Sequence, residues 1–305
     1  MTILLLGKNG QVGWELQRAL APLGALAALD RQGRAAQAGL PALCGDLNDP
    51  AALAQTVRAL KPRVVVNAAA HTAVDKAEAE PELAQRLNAD APAALAAACA
   101  EVGAALVHYS TDYVFDGSGE LPWSEGDATG PLSVYGRTKL AGEDAIRASG
   151  CAHLIVRTSW VYAARGGNFA KTMLRLAGER EHLTIVADQI GAPTGAELIA
   201  DVTAQALPQL LADAGKSGTY HLAASGATSW FDYAQFVFAT AQQVQPGLAL
   251  AVKAVEAVPS SAFATAATRP HNSRLNCARL RTTFGLRLPP WQDGVTRMLT
   301  EHLMR

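Results

Sequence analysis

The sequence predicts an α/β protein in which a doubly wound parallel sheet carries a smaller C-terminal lobe. Three observations predict this fold class. Short apolar runs alternate with longer helical patterns through the first half of the chain. A glycine-rich turn joins the first apolar run to the first helical pattern. Polar side chains follow the ends of several apolar runs, which is where open α/β sheets bind their ligands.

Composition excludes several classes of protein. The chain has 305 residues, of which 50% are hydrophobic, and a formal net charge of -1. A chain of this length can bury a large hydrophobic core. Its near-neutral net charge does not indicate a basic surface that would bind nucleic acid or an anionic membrane. No apolar run is long enough to span a bilayer, and no basic region precedes the first one, so a core strand is expected there rather than a signal peptide. We therefore expect a cytoplasmic protein.

The first element is a strand at Thr2–Leu6, followed by the glycine turn GKNGQVG at 7–13 and a helix at 14–23. Strand, glycine turn and helix in this order are the context of a dinucleotide-binding fingerprint. The glycines allow backbone N–H groups to approach a pyrophosphate at the positive end of the helix. The spacing is G-x-x-G-x-x-G rather than G-x-G-x-x-G. This motif predicts a Rossmann-type fold and an NAD(P) cofactor.

The second strand, Ala25–Leu29, ends at an acidic residue, Asp30. A carboxylate at this place accepts hydrogen bonds from the adenosine ribose and favours NAD. Arg31 follows directly, and an arginine there receives the 2′-phosphate of NADP. The sequence therefore leaves the choice between NADPH and NADH open.

The remaining elements continue the alternation. Further strands are predicted at 43–46, 63–67, 104–110, 153–157, 183–186 and 219–222. Helices are predicted at 50–60, 81–102, 132–149, 168–178, 195–211, from Ser229 onward, and at 289–303. We place an NAD(P)-binding Rossmann domain at 1–160 and a mainly substrate-binding lobe, interleaved with the sheet, at 161–305.

Tyr135 and Lys139 are four residues apart on one of these helices. That spacing stacks both side chains on one face, about 6 Å apart along the axis. A lysine ammonium at this place favours the phenolate and lowers the tyrosine pKa from its usual value of about 10. Such a tyrosine gives a proton to a carbonyl oxygen or takes one from an alcohol. The pair is therefore a candidate acid–base site.

Two strand ends supply further candidates. Small residues at 68–70 allow a cofactor to lie against the backbone, or simply permit tight packing, and His71 and Thr72 follow them. Ser110 and Thr111 end another strand, where a hydroxyl would bond both a substrate carbonyl and the Tyr135 phenol. Because strand alternation puts these two hydroxyls on opposite faces, geometry alone does not choose between them.

Two later features have competing interpretations. Trp160 would form a flat wall for a sugar ring, although tryptophan is more often a core residue. The polar loop at 269–274, RPHNSR, suits an anionic group such as a diphosphate, or is a solvated surface loop. The residues alone favour the core for Trp160 and leave the loop undecided.

With these motifs in hand, the chain resembles the extended short-chain dehydrogenases/reductases. More closely, it resembles the family of dTDP-4-dehydrorhamnose reductases over nearly its whole length. The segments that carry this resemblance are GKNGQVGWE (7–15), NAAAHTAVDK (67–76), STDYVFDG (110–117), Tyr135 to Lys139, RTSWVY (157–162), DQIGAPTGAE (188–197) and RPHNSRLN (269–276).

The resemblance implies roles for individual residues. It implies Tyr135 as the proton donor, Lys139 as its partner and a ligand of the nicotinamide ribose, and Thr111 as the active-site hydroxyl. Thr111, Asp112 and Trp160 would contact the sugar. Together with the N-terminal motif, the cofactor-binding set is Gly7, Gly10, Gln11, Val12, Gly13, Asp30, Arg31, Asp46, Leu47, Ala70, His71, Thr72, Tyr109, Tyr135 and Lys139.

The resemblance also implies an activity and a metal. The activity is NADPH- or NADH-dependent reduction of the C4 ketone of dTDP-4-dehydro-L-rhamnose. Some members pair through a magnesium ion, which here would bind Glu15, Glu197 and Asp201 and join a homodimer; these carboxylates would otherwise lie on a solvated face. The alternatives are a nucleotide-sugar epimerase or dehydratase on the same fold, or a non-catalytic regulatory subunit that binds a dinucleotide.

Overall fold

The computed structural model describes residues 1–35 and 42–304. Within these residues the strands are β1 (Thr2–Leu6), β2 (Ala25–Leu29), β3 (Val64–Asn67), β4 (Ala105–Thr111), β5 (His153–Thr158), β6 (Val161–Tyr162), β7 (His182–Val186), β8 (Ile190–Gly191), β9 (Thr194–Gly195), β10 (Gly218–His221), β11 (Thr228–Ser229) and β12 (Ala254–Val258).

The helices complete the description of the secondary structure. They are α1 (Gln11–Leu20), α2 (Pro50–Leu60), α3 (Val74–Ala79), α4 (Pro81–Gln85), α5 (Ala91–Val102), α6 (Val134–Ala148), α7 (Phe169–Glu179), α8 (Ala196–Ala212), α9 (Trp230–Val244), α10 (Ala278–Phe284) and α11 (Trp291–Leu303). Short 3-10 turns cover Ala21–Leu23, Asp112–Val114, Ala214–Lys216 and Ser260–Ala262, and a π-helical turn covers Arg86–Asp90.

In the described part of the chain, six strands form one parallel sheet in the order β10-β5-β4-β3-β1-β2. Its central strands are almost wholly apolar and buried, as parallel strands covered on both faces must be. The chain leaves β1 toward β2 on one side and returns to β3 on the other, which creates a switch point between β1 and β3. The predicted doubly wound α/β fold is confirmed.

The strand predicted at 43–46 is wrong. Only Leu43 pairs, through an antiparallel bridge in which it exchanges 2.8 Å hydrogen bonds with Arg34. The next amide, that of Cys44, donates instead to the Thr56 hydroxyl of α2 at 2.8 Å. Because these N–H groups find partners outside a sheet ladder, the apolar run does not extend the sheet.

The helix predicted at 81–102 is interrupted by the π-helical turn. Pro92 stands in the first turn of α5 and has no N–H to continue a regular helix. In this turn the Asn88 side chain makes two hydrogen bonds with the backbone of His71. Its Oδ1 accepts from the His71 amide at 2.9 Å, and its Nδ2 donates to the His71 carbonyl oxygen at 3.1 Å. The interruption therefore ties α5 to the loop that follows β3.

Helices cover both faces of the sheet. One apolar cluster joins the sheet to α1 and α8, and a second joins the opposite face to α2 and α5. A third cluster, which includes Tyr233, Trp291 and Leu299, holds together the lobe formed by α7, α9 and α11. Segments from the second half of the chain, β10 and α8, complete the main sheet and one of its covering layers. The division into domains at residue 160 stays a prediction.

Over residues 1–35 and 42–304, no helix combines the length and hydropathy that a bilayer crossing requires.

Candidate active site

The glycine turn brings the start of α1 close to the end of β3. Gly7 has φ 84, and a Cβ there would lie 2.9 Å from the Ala68 carbonyl group. A Cβ on Gly13 would lie 2.0 Å from the Gly7 carbonyl oxygen, so any side chain at Gly13 would push the helix away. Among the described residues no side chain caps the N-terminus of α1, which begins at Gln11. The arrangement offers backbone N–H groups and the positive helix end to an anion.

A cleft of about 610 Å³ lies beyond the ends of β1, β2 and β3. It gathers seven of the cofactor residues expected from the sequence: Gly7, Gly10, Asp30, Arg31, Asp46, Leu47 and Ala70. Its lining also includes Gln32, Asn48, Leu83 and Leu87, which the sequence analysis missed because the last two come from α4 and the π-helical turn.

Two ion pairs carry the charged groups of this cleft. Asp30 contacts Lys8, with Nζ and Oδ2 3.1 Å apart, and this contact is the strongest influence that lowers the Asp30 pKa. Arg31 contacts Asp46, with Nε and Oδ2 3.2 Å apart, and its side chain is 78% exposed. The cleft thus carries a carboxylate for ribose hydroxyls and an exposed guanidinium for a further phosphate. These residues fit an NAD(P) cofactor.

The loop after β3 is held by side chains rather than by the sheet. His71 is buried, with its backbone bonded to Asn88 and its Nε2 3.5 Å from Glu80 Oε2. Thr72 is exposed. Gln11 Nε2 donates to the carbonyl oxygen of Gly167 at 3.3 Å, so a loop of the second half reaches the start of α1. The structure therefore places His71 in the framework of the loop rather than in the lining of the cleft beyond β1, β2 and β3, which is called the smaller cleft below.

Tyr135 lies in the first turn of α6. The helix begins at Val134, and the Ser133 hydroxyl caps it by accepting from the Gly136 amide at 3.1 Å. A Cβ on Gly136 would lie 2.2 Å from the Tyr113 carbonyl oxygen, so this glycine permits α6 to approach the end of β4. The rings of Tyr113 and Tyr135 meet edge to face, with centroids 5.6 Å apart.

The two hydroxyls at the end of β4 have different surroundings. The Thr111 hydroxyl lies near enough to the Tyr135 phenol to affect its pKa, and it donates to Asp112 Oδ1 at 3.0 Å. Ser110 lies toward Glu143, further along α6. The structure thus brings Thr111, and not Ser110, to the phenol.

The pKa of Tyr135 differs from the expectation. Burial raises the pKa of Tyr135 to about 12, while the Thr111 hydroxyl opposes this effect and the Asp112 charge adds to it. The expected lowering by the Lys139 ammonium is wrong for this geometry, because Lys139 Nζ turns to β4 instead. It donates to the Tyr109 carbonyl oxygen at 2.6 Å and lies 3.1 Å from His108 Nε2. The phenol therefore keeps its proton at neutral pH.

Burial also shifts two neighbouring groups. It lowers the pKa of Lys139 to about 8, partly offset by the nearby Glu143 charge. It raises the pKa of Asp112 to about 6, against the opposing influence of the Ser273 and Thr111 hydroxyls. The Tyr109 phenol points to the other face of the sheet, 2.8 Å from the Thr203 hydroxyl of α8.

A larger cleft, of about 1100 Å³, lies beside Tyr113 and between the sheet and the C-terminal lobe. Trp230 and Phe169 are among its lining residues. The ring of Trp160 stacks on that of Trp230, with centroids 3.6 Å apart and an interplanar angle of 13°. Trp160 has φ 49, a strained value for a side-chain-bearing residue, and its ring packs against Gly191. Trp230, which the sequence analysis missed, belongs to this aromatic wall.

The polar loop at 269–274 is divided between two environments. Arg269 lines the larger cleft and contacts Asp75 of α3, with Nη2 and Oδ2 2.6 Å apart. His271 lines the same cleft and lies 3.1 Å from the Asp188 carbonyl oxygen through Nδ1. Arg274 lines a separate depression. Two of the three basic residues of this loop thus face the larger cleft.

The predicted metal ligands are paired with arginines. Arg18 contacts both Asp201 and Glu15, at 2.9 and 3.6 Å, and Arg297 contacts Glu197 at 3.3 Å. Within the described ranges, no group of three or more His, Cys, Asp or Glu side chains is arranged to hold a metal ion. The predicted magnesium site between two copies of the chain stays a prediction, and we derive no step through a metal.

Comparison with known proteins gives the family. The family model described as "RmlD substrate binding domain" matches residues 1–304. The chain belongs to the RmlD substrate-binding domain family. A relative in Escherichia coli K12, named dTDP-4-dehydrorhamnose reductase, is 58% identical over 301 residues, which cover 99% of this chain and 98% of the relative.

Two solved structures of RmlD relatives have the same fold. A dTDP-4-dehydrorhamnose reductase from Clostridium acetobutylicum is 36% identical, with a TM-score of 0.84, and the match covers 100% of this chain and 99% of that one. The same enzyme from Bacillus anthracis, solved in complex with NADP, is 34% identical, with a TM-score of 0.84 and coverage of 98% and 99%.

Proposed function

We propose that the chain catalyses the NAD(P)H-dependent reduction of dTDP-4-dehydro-L-rhamnose at its C4 ketone, giving dTDP-L-rhamnose in dTDP-rhamnose biosynthesis. One observation carries the proposal: the Tyr135 phenol, which keeps its proton at neutral pH, packs edge to face on Tyr113, a lining residue of the larger cleft, with the Thr111 hydroxyl nearby. The 58% identity to a named reductase over nearly the whole chain supports the same activity.

The chain's own residues divide the reaction between them. When bound, NAD(P)H supplies the hydride that reduces the ketone carbon. The Tyr135 phenol donates its proton to the oxygen that becomes negatively charged. Thr111 donates a hydrogen bond to the same atom once its hydroxyl turns from Asp112. Lys139, four residues further along α6, brings a cationic side chain to the site, with its Nζ held by the Tyr109 carbonyl oxygen. A phenol with a pKa of about 12 holds its proton at neutral pH, which is the form that this direction of reaction needs.

The larger cleft is the proposed site of the sugar nucleotide. Its aromatic wall, Trp230 with Trp160 stacked on it, offers an apolar face to the sugar. Asp112 directly precedes Tyr113, which lines this cleft. Arg269 and His271 offer charge and hydrogen bonds for the diphosphate. The smaller cleft, with Asp30 and Arg31 among its residues, takes the adenosine end of the cofactor.

We also propose a cytoplasmic homodimer that binds neither nucleic acid nor membranes. The net charge of -1 supports the absence of an electrostatic partner of either kind. Light scattering of the purified chain, with and without magnesium, measures the oligomeric state, and a monomer under both conditions contradicts the homodimer.

Absorbance at 340 nm tests the activity. The purified chain is mixed with NADPH or NADH and with dTDP- or UDP-linked 4-keto-6-deoxy sugars, and NMR identifies the product. The proposal expects one equivalent of reduced cofactor consumed per dTDP-sugar reduced. Sugar conversion by cofactor that co-purifies with the protein, with no net consumption, would indicate an epimerase or dehydratase. Cofactor binding with no turnover of any keto-sugar would indicate a regulatory subunit.

A further inference from the structure

His108 is a buried titratable side chain that touches Lys139 and that the mechanism above does not use. It lies on β4 and is 1% exposed. Its Nε2 is 3.1 Å from Lys139 Nζ, and its Nδ1 is 3.2 Å from Asn67 Nδ2. The Asn67 Oδ1 in turn accepts a hydrogen bond from the Ala69 amide at 3.2 Å. A continuous chain of polar contacts therefore leads from Lys139 to the loop that borders the smaller cleft.

The direction of each hydrogen bond in this chain follows from the donor atoms. An amide nitrogen only donates, so with Asn67 in this orientation the His108 Nδ1 accepts and a neutral ring carries its proton on Nε2. That N–H faces Lys139 Nζ, which accepts a hydrogen bond only as a neutral amine. An ammonium at Lys139 requires the opposite arrangement, with the lone pair on Nε2, the proton on Nδ1 and the Asn67 oxygen turned toward the ring.

The groups around Lys139 have opposing effects on its charge. Burial disfavours the ammonium, whereas Glu143, one turn further along α6, favours it. Arg157 of β5 holds the Glu143 carboxylate, and the Tyr109 carbonyl of β4 accepts from Nζ. On the other side of Lys139 along α6 stands the Tyr135 phenol.

The His108 ring stays neutral in both states. Burial, followed by the Lys139 charge, lowers its pKa well below the usual value. It therefore responds to Lys139 by moving its proton from one ring nitrogen to the other, and not by becoming charged.

We propose that His108, backed by Asn67, is a positioning residue whose tautomer is coupled to the charge state of Lys139. The imidazole tautomer and the Asn67 amide change together as Lys139 gains or loses its proton. The turn of the amide releases or captures the Ala69 N–H, so the lysine charge is linked to the backbone beside the cofactor cleft. The importance of that charge for turnover rests on the proposed function, whereas the coupling itself does not.

The first test needs no substrate. The full-length protein, labelled with ¹⁵N-histidine, is titrated by NMR from about pH 6 to about pH 10, a range that spans the Lys139 pKa of about 8. The expected result is that the His108 proton moves from Nδ1 to Nε2 with one midpoint, and that Lys139→Met abolishes the transition. A single tautomer throughout the titration of the unaltered protein would overturn the proposal.

The second test uses the pH dependence of kcat/KM in the 340 nm assay. We expect kcat/KM to fall at high pH as Lys139 loses its proton, and this fall is called the basic limb. His108→Phe removes a hydrogen-bond acceptor from the Lys139 ammonium. The basic limb is then expected to move to lower pH by about one unit, which corresponds to a tenfold loss of proton affinity at Lys139. His108→Gln presents an amide oxygen and restores the limb. Asn67→Asp holds the proton on Nδ1 and moves the limb up.

The opposite pH shifts of His108→Phe and Asn67→Asp distinguish a positioning role of His108 from a purely structural one. A purely structural role lowers the folded fraction of these variants, followed by circular dichroism, and leaves the limb at the same pH in all three, which would overturn the proposal. If the unaltered chain consumes no NADPH with the keto-sugar, the proposed function fails, and the NMR titration alone decides the inference.

Discussion

The Arg157 guanidinium lies 2.6 Å from the Glu143 carboxylate, and the two side chains are 4% and 0% exposed. Arg147 approaches the same carboxylate from the surface at 2.9 Å. Although burial opposes ionisation, the contacts with Arg157 prevail and the pKa of Glu143 lies below its usual value. The pair therefore places a fixed negative charge one helical turn beyond Lys139.

Glu143→Gln is expected to lower the free energy of unfolding by about 3–5 kcal/mol, because it leaves the Arg157 charge buried without its partner. Urea denaturation measures the change. Asp144→Asn is the matched control, since Asp144 contacts Arg147 from a side chain that is 65% exposed, and it is expected to change stability by less than about 1 kcal/mol. Equal losses in the two variants would show that the buried pair is not the stabilising feature.

Tyr135→Phe is expected to lower kcat by about 10²–10⁴-fold, since it removes the proposed proton donor and preserves the ring packing on Tyr113. The affinity for NADPH, measured by fluorescence titration, is expected to change little because the ring remains. Tyr220→Phe provides a control tyrosine on β10, whose hydroxyl donates to the Lys216 carbonyl oxygen. Turnover of Tyr135→Phe at the rate of the unaltered protein would refute the assignment.

Asp112→Asn is expected to change the pH dependence of stability. Because the folded-state pKa of Asp112 is raised to about 6, the folded protein binds the extra proton between about pH 4 and pH 6, and this carboxyl costs stability as the pH rises through that window. The variant lacks this cost. It should gain about 2–3 kcal/mol relative to the unaltered protein between pH 4 and pH 7, at about 1.4 kcal/mol per pKa unit.

Denaturation of both proteins across this pH range checks the prediction. His221, whose pKa burial lowers to about 4, contributes equally to both proteins and cancels in the difference. A difference in stability that does not vary with pH would contradict the Asp112 assignment.

Arg31→Ala is expected to lower kcat/KM for NADPH by about tenfold and to leave the value for NADH nearly unchanged. The exposed guanidinium lies beside Asp46, where it would hold a 2′-phosphate. Steady-state kinetics with both cofactors measure the ratio. Arg58→Ala, which breaks a surface pair with Glu101, controls for a general loss of positive charge. Equal losses with NADH and NADPH would refute a phosphate contact at Arg31.

Most of the main sheet was predictable because its strands are continuous apolar runs between turns and helices. The apolar run at 43–46 was wrongly predicted as a strand. Its backbone groups bond instead to the Thr56 hydroxyl and, through a single bridge, to Arg34. Sequence periodicity has no information about such distant partners. The π-helical turn was also hidden, since its cause is the combination of Pro92 with a side chain that bonds another loop.

The candidate site was predictable where local spacing defines it and not where the fold brings distant residues together. Tyr135 and Lys139 share a helix, and the glycine turn is local. Trp230 and His108 reach the site only through tertiary packing, and no local pattern marks them. The shift of the Tyr135 pKa was predicted in the wrong direction because its main cause is burial, which the Tyr-x-x-x-Lys spacing does not show.

The place of β10 in the sheet has a consequence for biosynthesis on the ribosome. Gly218–His221 pairs with β5, so until that segment emerges, β5 presents an unpaired edge to the cell. At about 5–20 residues per second, the interval between the synthesis of β5 and of β10 lasts several seconds. The nascent chain is exposed to mispairing throughout that interval, and a product truncated before β10 would be a natural client of chaperones.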